Sequence, residues 1–171
     1  GPGTGEPNNP FLIADPNHVN AIGLHPEHWD KHFQLRNDID LSAYDGQDGR
    51  PLLAKIDTFK GVFDGNGYTI SNFVSICENS YVCTYGSERG FFRRIDDINA
   101  EIKNLNFYNC YIYAYKGDRI GVVAGFLCNG TIRNCSVEQG EVNGDWNVGG
   151  LVGLNNGLIE DCYYSGQLNG Y

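Results

Sequence analysis

A repeat with a period near thirty residues constrains this 171-residue chain more than any other feature. Ile102-Lys103-Asn104-Leu105, Ile132-Arg133-Asn134-Cys135 and Ile159-Glu160-Asp161-Cys162 share one pattern of Ile, charge, Asn or Asp, apolar. Ile70-Ser71-Asn72-Phe73 reads as a more divergent fourth copy, and the four Ile positions are separated by 32, 30 and 27 residues. Between them, the run from Ile120 to Gly125 aligns with the run from Val148 to Gly153 at an offset of 28, and each is followed by an Asn-Gly turn, Asn129-Gly130 or Asn156-Gly157. Several short β-prone runs inside one such period predict coils of parallel strands, because a single repeat cannot bury its apolar side chains except against the next. Stacked strands lie about 4.8 Å apart, so equivalent residues superpose. Asn72, Asn104, Asn134 and Asp161 then form a ladder at a bend, and Ile70, Ile102, Ile132 and Ile159 an interior aliphatic ladder. Leucine-rich repeats need a helix that does not appear after Ile102, and propeller blades need about 40 to 50 residues.

Composition supports a turn-rich β protein. The chain has 23 Gly and 19 Asn, and its hydrophobic 41% is weighted to Val, Ile, Leu, Phe and Tyr. A helical bundle is excluded, and so is a membrane-spanning helix, since no apolar run approaches about 20 residues. The net charge of −9 and pI near 4.7 argue against nucleic acid as a partner, because phosphate binding needs a basic face.

The first 60 residues read differently. Phe11 to Ala14 is a short strand. Asp15-Pro16 then supplies an N-cap and first-turn proline for a short helix with Val19 and Ile22 on one face and Gly23 as its stop. Pro26 to Lys31 forms another helical turn, and Phe33 to Leu41 alternates like one strand. A helix here is expected to cover the open end of the apolar interior. Residues 1–60 therefore read as a cap continuous with coils over 61–171, a single domain. The start at Gly1-Pro2 reads as a cleavage scar, and the chain's end partway through a repeat as continuing into further sequence.

The residues also carry a family resemblance. Gly61-Val62-Phe63-Asp64-Gly65-Asn66-Gly67-Tyr68-Thr69-Ile70-Ser71-Asn72 is similar to the opening segment of bacterial GLUG-motif proteins. Val148-Gly149-Gly150-Leu151-Val152-Gly153, with Gly157 to Cys162 behind it, resembles the repeat itself, and Pro10 to Ile13, Trp29 to Phe33 and Asp38 to Leu41 resemble its usual leader. Arg89-Gly90-Phe91-Phe92-Arg93 and Ala124 depart from the regular form, so the earlier repeats are degenerate. The resemblance implies large secreted or surface-attached bacterial proteins, some with immunoglobulin-A-cleaving metallopeptidase regions, and no reaction performed by the repeats. The expected fold is thus all-β, a right-handed parallel β-helix with a short N-terminal capping helix. The expected location is extracellular or cell-surface, without membrane insertion. The expected partners are other domains of the same polypeptide and a host or cell-surface protein or glycan.

Candidate chemistry is sparse. His28 and His32 stand at i and i+4, a workable zinc pair on a helix, within a group that includes His18 and His25. Asp45-Gly46-Gln47-Asp48-Gly49 and Asp96-Asp97 offer oxygens to Ca²⁺, although the first also reads as a pair of Asp-Gly turns, and no other cofactor is expected. Asp64-Gly65-Asn66-Gly67 is a tight turn rather than a phosphate cradle, because no helix or Lys follows it. Cys135 and Cys162 occupy the slot held by Leu105 and Phe73, so they read as buried thiols, with a disulfide between them as the alternative, whereas Cys77 and Cys83 bracket a loop and are candidates for a disulfide. Cys110 and Cys128 have no evident partner. Lys103, Arg133 and Glu160 form one outward row and Asn106, Ser136 and Tyr163 the next, with no recurrent carboxylate pair of the glycosidase kind. A structural or adhesive module is the favoured reading, with a carbohydrate-recognition module and a polysaccharide lyase or glycosidase as alternatives; Tyr108, Tyr111, Tyr113 and Tyr115 are the candidate aromatic face.

Overall fold

The computed structural model describes residues 2–78 and 88–170. The fold is all-β with parallel sheets and one α-helix. With strands numbered in chain order, the first sheet contains β1 (Phe11–Ile13), β2 (His32–Leu35), β4 (Ile56–Phe59), β5 (Val62–Asp64), β8 (Phe92–Lys103), β12 (Ala124–Arg133), β15 (Val152–Asn155) and β16 (Leu158–Glu160). The second contains β3 (Ile39–Asp40), β6 (Thr69–Ser71), β7 (Val74–Cys77), β9 (Asn106–Tyr108), β10 (Tyr111–Ala114), β13 (Ser136–Gly144) and β17 (Tyr163–Gly170). A two-stranded third sheet pairs β11 (Asp118–Ile120) with β14 (Trp146–Val148). Every pairing between these strands is parallel, and each joins segments about one repeat apart: Phe92 pairs with Ala124 and Ala124 with Val152, Ile102 with Ile132 and Ile132 with Ile159.

Stacking superposes inward side chains, and there the fourth repeat copy is corrected. Phe63, not Ile70, pairs with Ile102, and the column runs Phe11, Phe33, Phe63, Ile102, Ile132, Ile159. Ile70 lies in the second sheet, in a column of Ile39, Ile70, Phe107, Val137 and Tyr164. The apolar-x-Asn-apolar pattern marks two different bends of the same coil, and Ile70-Ser71-Asn72-Phe73 belongs with Phe107-Tyr108-Asn109-Cys110. Phe63 and Ile102 are 39 positions apart because that coil carries the long connection between β7 and β8, so the spacing of 32 from Ile70 to Ile102 mimics a full turn by coincidence. Ile70, Ile102 and Ile132 are fully buried, and Ile159 packs against the core from a partly buried position in the last coil.

The polar ladder likewise divides in two. At the bend after β5, β8 and β12, the Asn134 Nδ2 donates to Asn104 Oδ1 at 2.8 Å, and Asn104 Nδ2 to Asp64 Oδ1 at 3.0 Å. Asn104, Asn134 and Asp161 there have φ of 52°, 50° and 51°. At the bend after β6 and β9, Asn109 Nδ2 donates to Asn72 Oδ1 at 2.7 Å and Asn72 Nδ2 to Asp40 Oδ1 at 2.8 Å, with Asn72 and Asn109 at φ 58° and 52°. Left-handed backbone costs most residues about 1–2 kcal/mol, and Asn tolerates it because its short amide bonds locally. The Asn72 amide also holds the Asp40 carboxyl below the usual carboxylate range.

The repeat's Gly residues have a different duty. Gly125 and Gly153, one period apart, have no left-handed φ; a Cβ on Gly153 would lie 2.2 Å from Ile120 N, and one on Gly125 2.6 Å from Arg119 O. They let the first sheet pass flush against β11.

The core between the sheets is aromatic toward the N-terminus and aliphatic beyond it. Phe63 meets Phe33, Phe91 and Phe92 with ring centroids 6.4, 5.9 and 5.7 Å away, and Phe107 meets Phe91 at 5.4 Å. Ile112, Val122, Val123, Leu127 and Val137 continue it. Helix α1 (Pro16–Leu24) packs Val19 and Ile22 onto this core, with the Asp15 carboxylate accepting from His18 N at 2.9 Å. Gly23 does not stop the helix, which runs on to Leu24; its missing Cβ makes room for the Ala54 carbonyl, 2.4 Å from where that atom would sit. The stretch expected to be one strand, Phe33 to Leu41, is divided between β2 and β3 by a bend. Asp64 to Gly67 is the expected tight turn, with Asn66 at φ 53° and Gly67 at φ 81°.

Asn134→Ala is expected to lower the unfolding free energy by about 1–2 kcal/mol, and Asn134→Gly by less, because Gly keeps the left-handed backbone and loses only the amide bond. Urea denaturation at unchanged m-value reads the difference; a Gly variant weaker than the Ala variant contradicts the account of the bend.

Candidate functional site

The outer face of the second sheet holds the most site-like surface. Parallel register places Thr69, Asn106, Ser136 and Tyr163 in one outward row and Ser71, Tyr108, Glu138 and Ser165 in the next. The residues between the rows, Ile70, Phe107 and Val137, are buried, so alternation along each strand builds the face directly. A groove of about 380 Å³ is lined by Thr69, Asn106, Tyr108, Ser136, Glu138 and Tyr163 over Phe107. Tyr108 and Tyr163 are 42% and 52% exposed, enough to offer ring faces. Ser136 Oγ donates to Asn106 Oδ1 at 2.8 Å, Asn106 Nδ2 to Gly67 O at 3.1 Å, and the Tyr163 hydroxyl to Glu138. The Glu138 carboxylate raises the pKa of the Tyr163 phenol. Among the lining residues Glu138 is the one carboxylate, so the groove holds no carboxylate pair of the glycosidase kind. The expected row Asn106, Ser136, Tyr163 is therefore realised; Tyr111 and Tyr113 are partly buried on β10 and stand outside this groove.

The first sheet's outer face is charge-compensated. Asp64, Lys103, Arg133 and Glu160 are in register, and Glu101 accepts from both Lys103 Nζ at 2.7 Å and Arg133 Nε at 2.5 Å. A cluster that sequence reasoning missed lies nearby. Glu88, 8% exposed, receives Arg94 Nη2 at 2.6 Å and Arg119 Nη1 at 2.8 Å, and both guanidinium carbons sit over the Phe126 ring, at 5.4 and 5.3 Å. Glu88 and Arg94 are six residues apart, but Arg119 is 31 residues from Glu88, and only the stacking brings it in.

The metal-ligand expectations are rearranged. His28 sits in a 3-10 turn and His32 opens β2, so the i, i+4 helical pair does not form; Pro26 ends the first helix and the turn is too short to carry both rings. His25, Glu27 and His28 come together instead. Asp45 is engaged by Arg50 through two bonds of 2.8 Å, which hold its carboxyl low. Asp96 accepts from Asn129 Nδ2 at 2.8 Å, and Asp97 from Asn99 N at 2.8 Å.

Cys135 is buried and Cys162 partly buried, on adjacent coils as expected; Cys162 Sγ accepts from Cys135 N at 3.4 Å. Phe73 belongs to the other bend, in the slot of Cys110, which is also a buried free thiol. Cys77 is buried and disulfide-bonded, while Cys83, its expected partner, lies outside the described residues.

Residues 144–169, which span the end of β13, β14, β15, β16 and most of β17, match the family described as the GLUG motif. The chain carries a GLUG motif. Halomucin of Haloquadratum walsbyi is 36% identical over 162 residues, 90% of this chain and 2% of halomucin. A protein of Evansella cellulosilytica that carries the name Gly-rich membrane protein is 32% identical over 188 residues, 90% of this chain and 21% of its own length. The chain thus spans a small part of each relative. A Bacteroides ovatus protein whose crystal structure is named for an immunoglobulin A1 protease shares the fold at TM-score 0.61 and 20% identity, over 98% of this chain and 60% of its own. Among the described residues no helix is long and apolar enough to cross a membrane.

The thiols give a direct check on the last two coils. A hydrogen bond from Cys135 lowers the Cys162 pKa, and burial raises that of Cys110 to about 12. The thiolate is the nucleophile, so at pH 8 iodoacetamide is expected to label Cys162 first and Cys110 only on unfolding. Peptide mapping that finds Cys110 first contradicts the packing.

Proposed function

We propose that this chain is a right-handed parallel β-helix, closed at its N-terminal end by helix α1, and that it serves as a non-catalytic structural and adhesive module of a larger surface or secreted protein. Residues 1–60 act as the cap and the coils from 61 onward as the rod, together one domain that needs no cofactor. One observation carries the reading: side chains about one repeat apart pair in register on two large parallel sheets, Ile102 on Ile132 on Ile159 and Phe107 on Val137 on Tyr164. A stack of that kind is stiff and extensible by further repeats, properties suited to a spacer. Similarity to halomucin and to a protein named for a membrane supports a place at the cell surface, and the acidic charge supports solvation there.

The groove over Phe107 favours a second reading, carbohydrate recognition. Exposed Tyr108 and Tyr163 provide apolar ring faces beside Asn106, Ser136 and Glu138, which supply donors and acceptors for hydroxyl groups.

A glycan array combined with a turnover screen on acidic polysaccharides separates these roles. The structural role predicts no turnover and no selective retention. Retention that is lost in Tyr108→Ala and Tyr163→Ala assigns the groove to sugar recognition, and turnover by the purified chain overturns both readings.

A further inference from the structure

We propose that His25, Glu27 and His28 form a binding site for a divalent transition-metal ion of the zinc type, at the junction of helix α1 and the turn that follows it. The three side chains present one ligand atom each, all within 4.8 Å of one another, and His25 Nδ1 already lies 2.9 Å from Glu27 Oε1. Two imidazole nitrogens and one carboxylate oxygen are a ligand set that zinc takes with a further position left to water, and calcium, which prefers six to eight oxygens, does not. Zinc bonds of about 2.0–2.2 Å require the three atoms to draw in slightly, which the exposed side chains of His25 and Glu27 accomplish by rotation.

The backbone beneath the site is held from several directions. Pro26 sets the start of the 3-10 turn, His28 N donates to His25 O at 3.0 Å, and Lys31 N to His28 O at 2.9 Å. Trp29 Nε1 donates to Ile22 O at 2.8 Å, tying the turn to the last part of α1. The His25 and His28 rings stack with centroids 5.7 Å apart, and His28 also rests 5.0 Å from Phe11. Both rings border a cleft of about 300 Å³ whose apolar wall is Phe11, Ile13, Ala21, Ile22 and Phe33, with His18 on its rim. Lys31, the basic residue on this segment, is turned to Glu6 and Asp30. Bound there, the metal clips the C-terminal end of α1 to the turn leading into β2, and so fastens the N-terminal cap.

Isothermal titration of the tag-free chain with zinc chloride at neutral pH, paired with melting curves, tests the assignment. One saturable site and a raised melting temperature are expected, since the ion binds the folded cap and not the unfolded chain. His25→Ala and His28→Ala are each expected to remove the site and the zinc-dependent rise in melting temperature, His32→Ala to retain both, and calcium chloride to give no heat at it. Absence of a saturable site, binding that survives in both His25→Ala and His28→Ala, or binding lost in His32→Ala overturns the proposal.

Discussion

Everything in this molecule follows from parallel backbone pairing between one coil and the next. A strand of three or four residues, such as Val62–Asp64 or Asn106–Tyr108, has too little apolar surface to hold itself in place. Pairing on both sides satisfies its backbone groups and buries its inward residue at once. The turns between strands are then the difficult places, because they must repeat with the same geometry at every level. Asn solves this at two bends: it accepts a left-handed backbone and passes an amide bond to the coil below, as Asn134 does to Asn104 and Asn109 to Asn72. The Gly residues of the repeat solve a different problem, close passage of one backbone past another, as Gly153 does past Ile120.

Much of the stacking was legible in the sequence. The offsets between Ile102, Ile132 and Ile159 are the true registers, since these coils have nearly constant length. The earlier coils were not legible, for two physical reasons. Phe and Ile fill the same interior column, so Phe63 above Ile102 breaks the letter pattern while preserving the packing. Both bends need the same chemistry, so Ile70-Ser71-Asn72-Phe73 copies the motif of one bend while standing at the other. The sites behaved similarly. The row Asn106, Ser136, Tyr163 was readable from alternation, whereas the Glu88 clamp was not, because Arg119 reaches Glu88 from 31 residues away. The histidines were visible as a group, but which of them meet depends on where Pro26 ends the helix.

The two faces have unlike surfaces. One is a lattice of compensated charges around Glu101, a chemistry that favours stability and solubility over recognition. The other exposes the rings of Tyr108 and Tyr163 beside small polar groups.

Methyl nuclear Overhauser effects in isoleucine-labelled protein test the stacking most directly. Cross-peaks from Ile102 to Ile132, from Ile132 to Ile159 and from Ile39 to Ile70 are predicted, since each pair shares a register position on adjacent parallel strands. Cross-peaks missing for Ile102, Ile132 and Ile159 in well-ordered protein would contradict the coil-on-coil account.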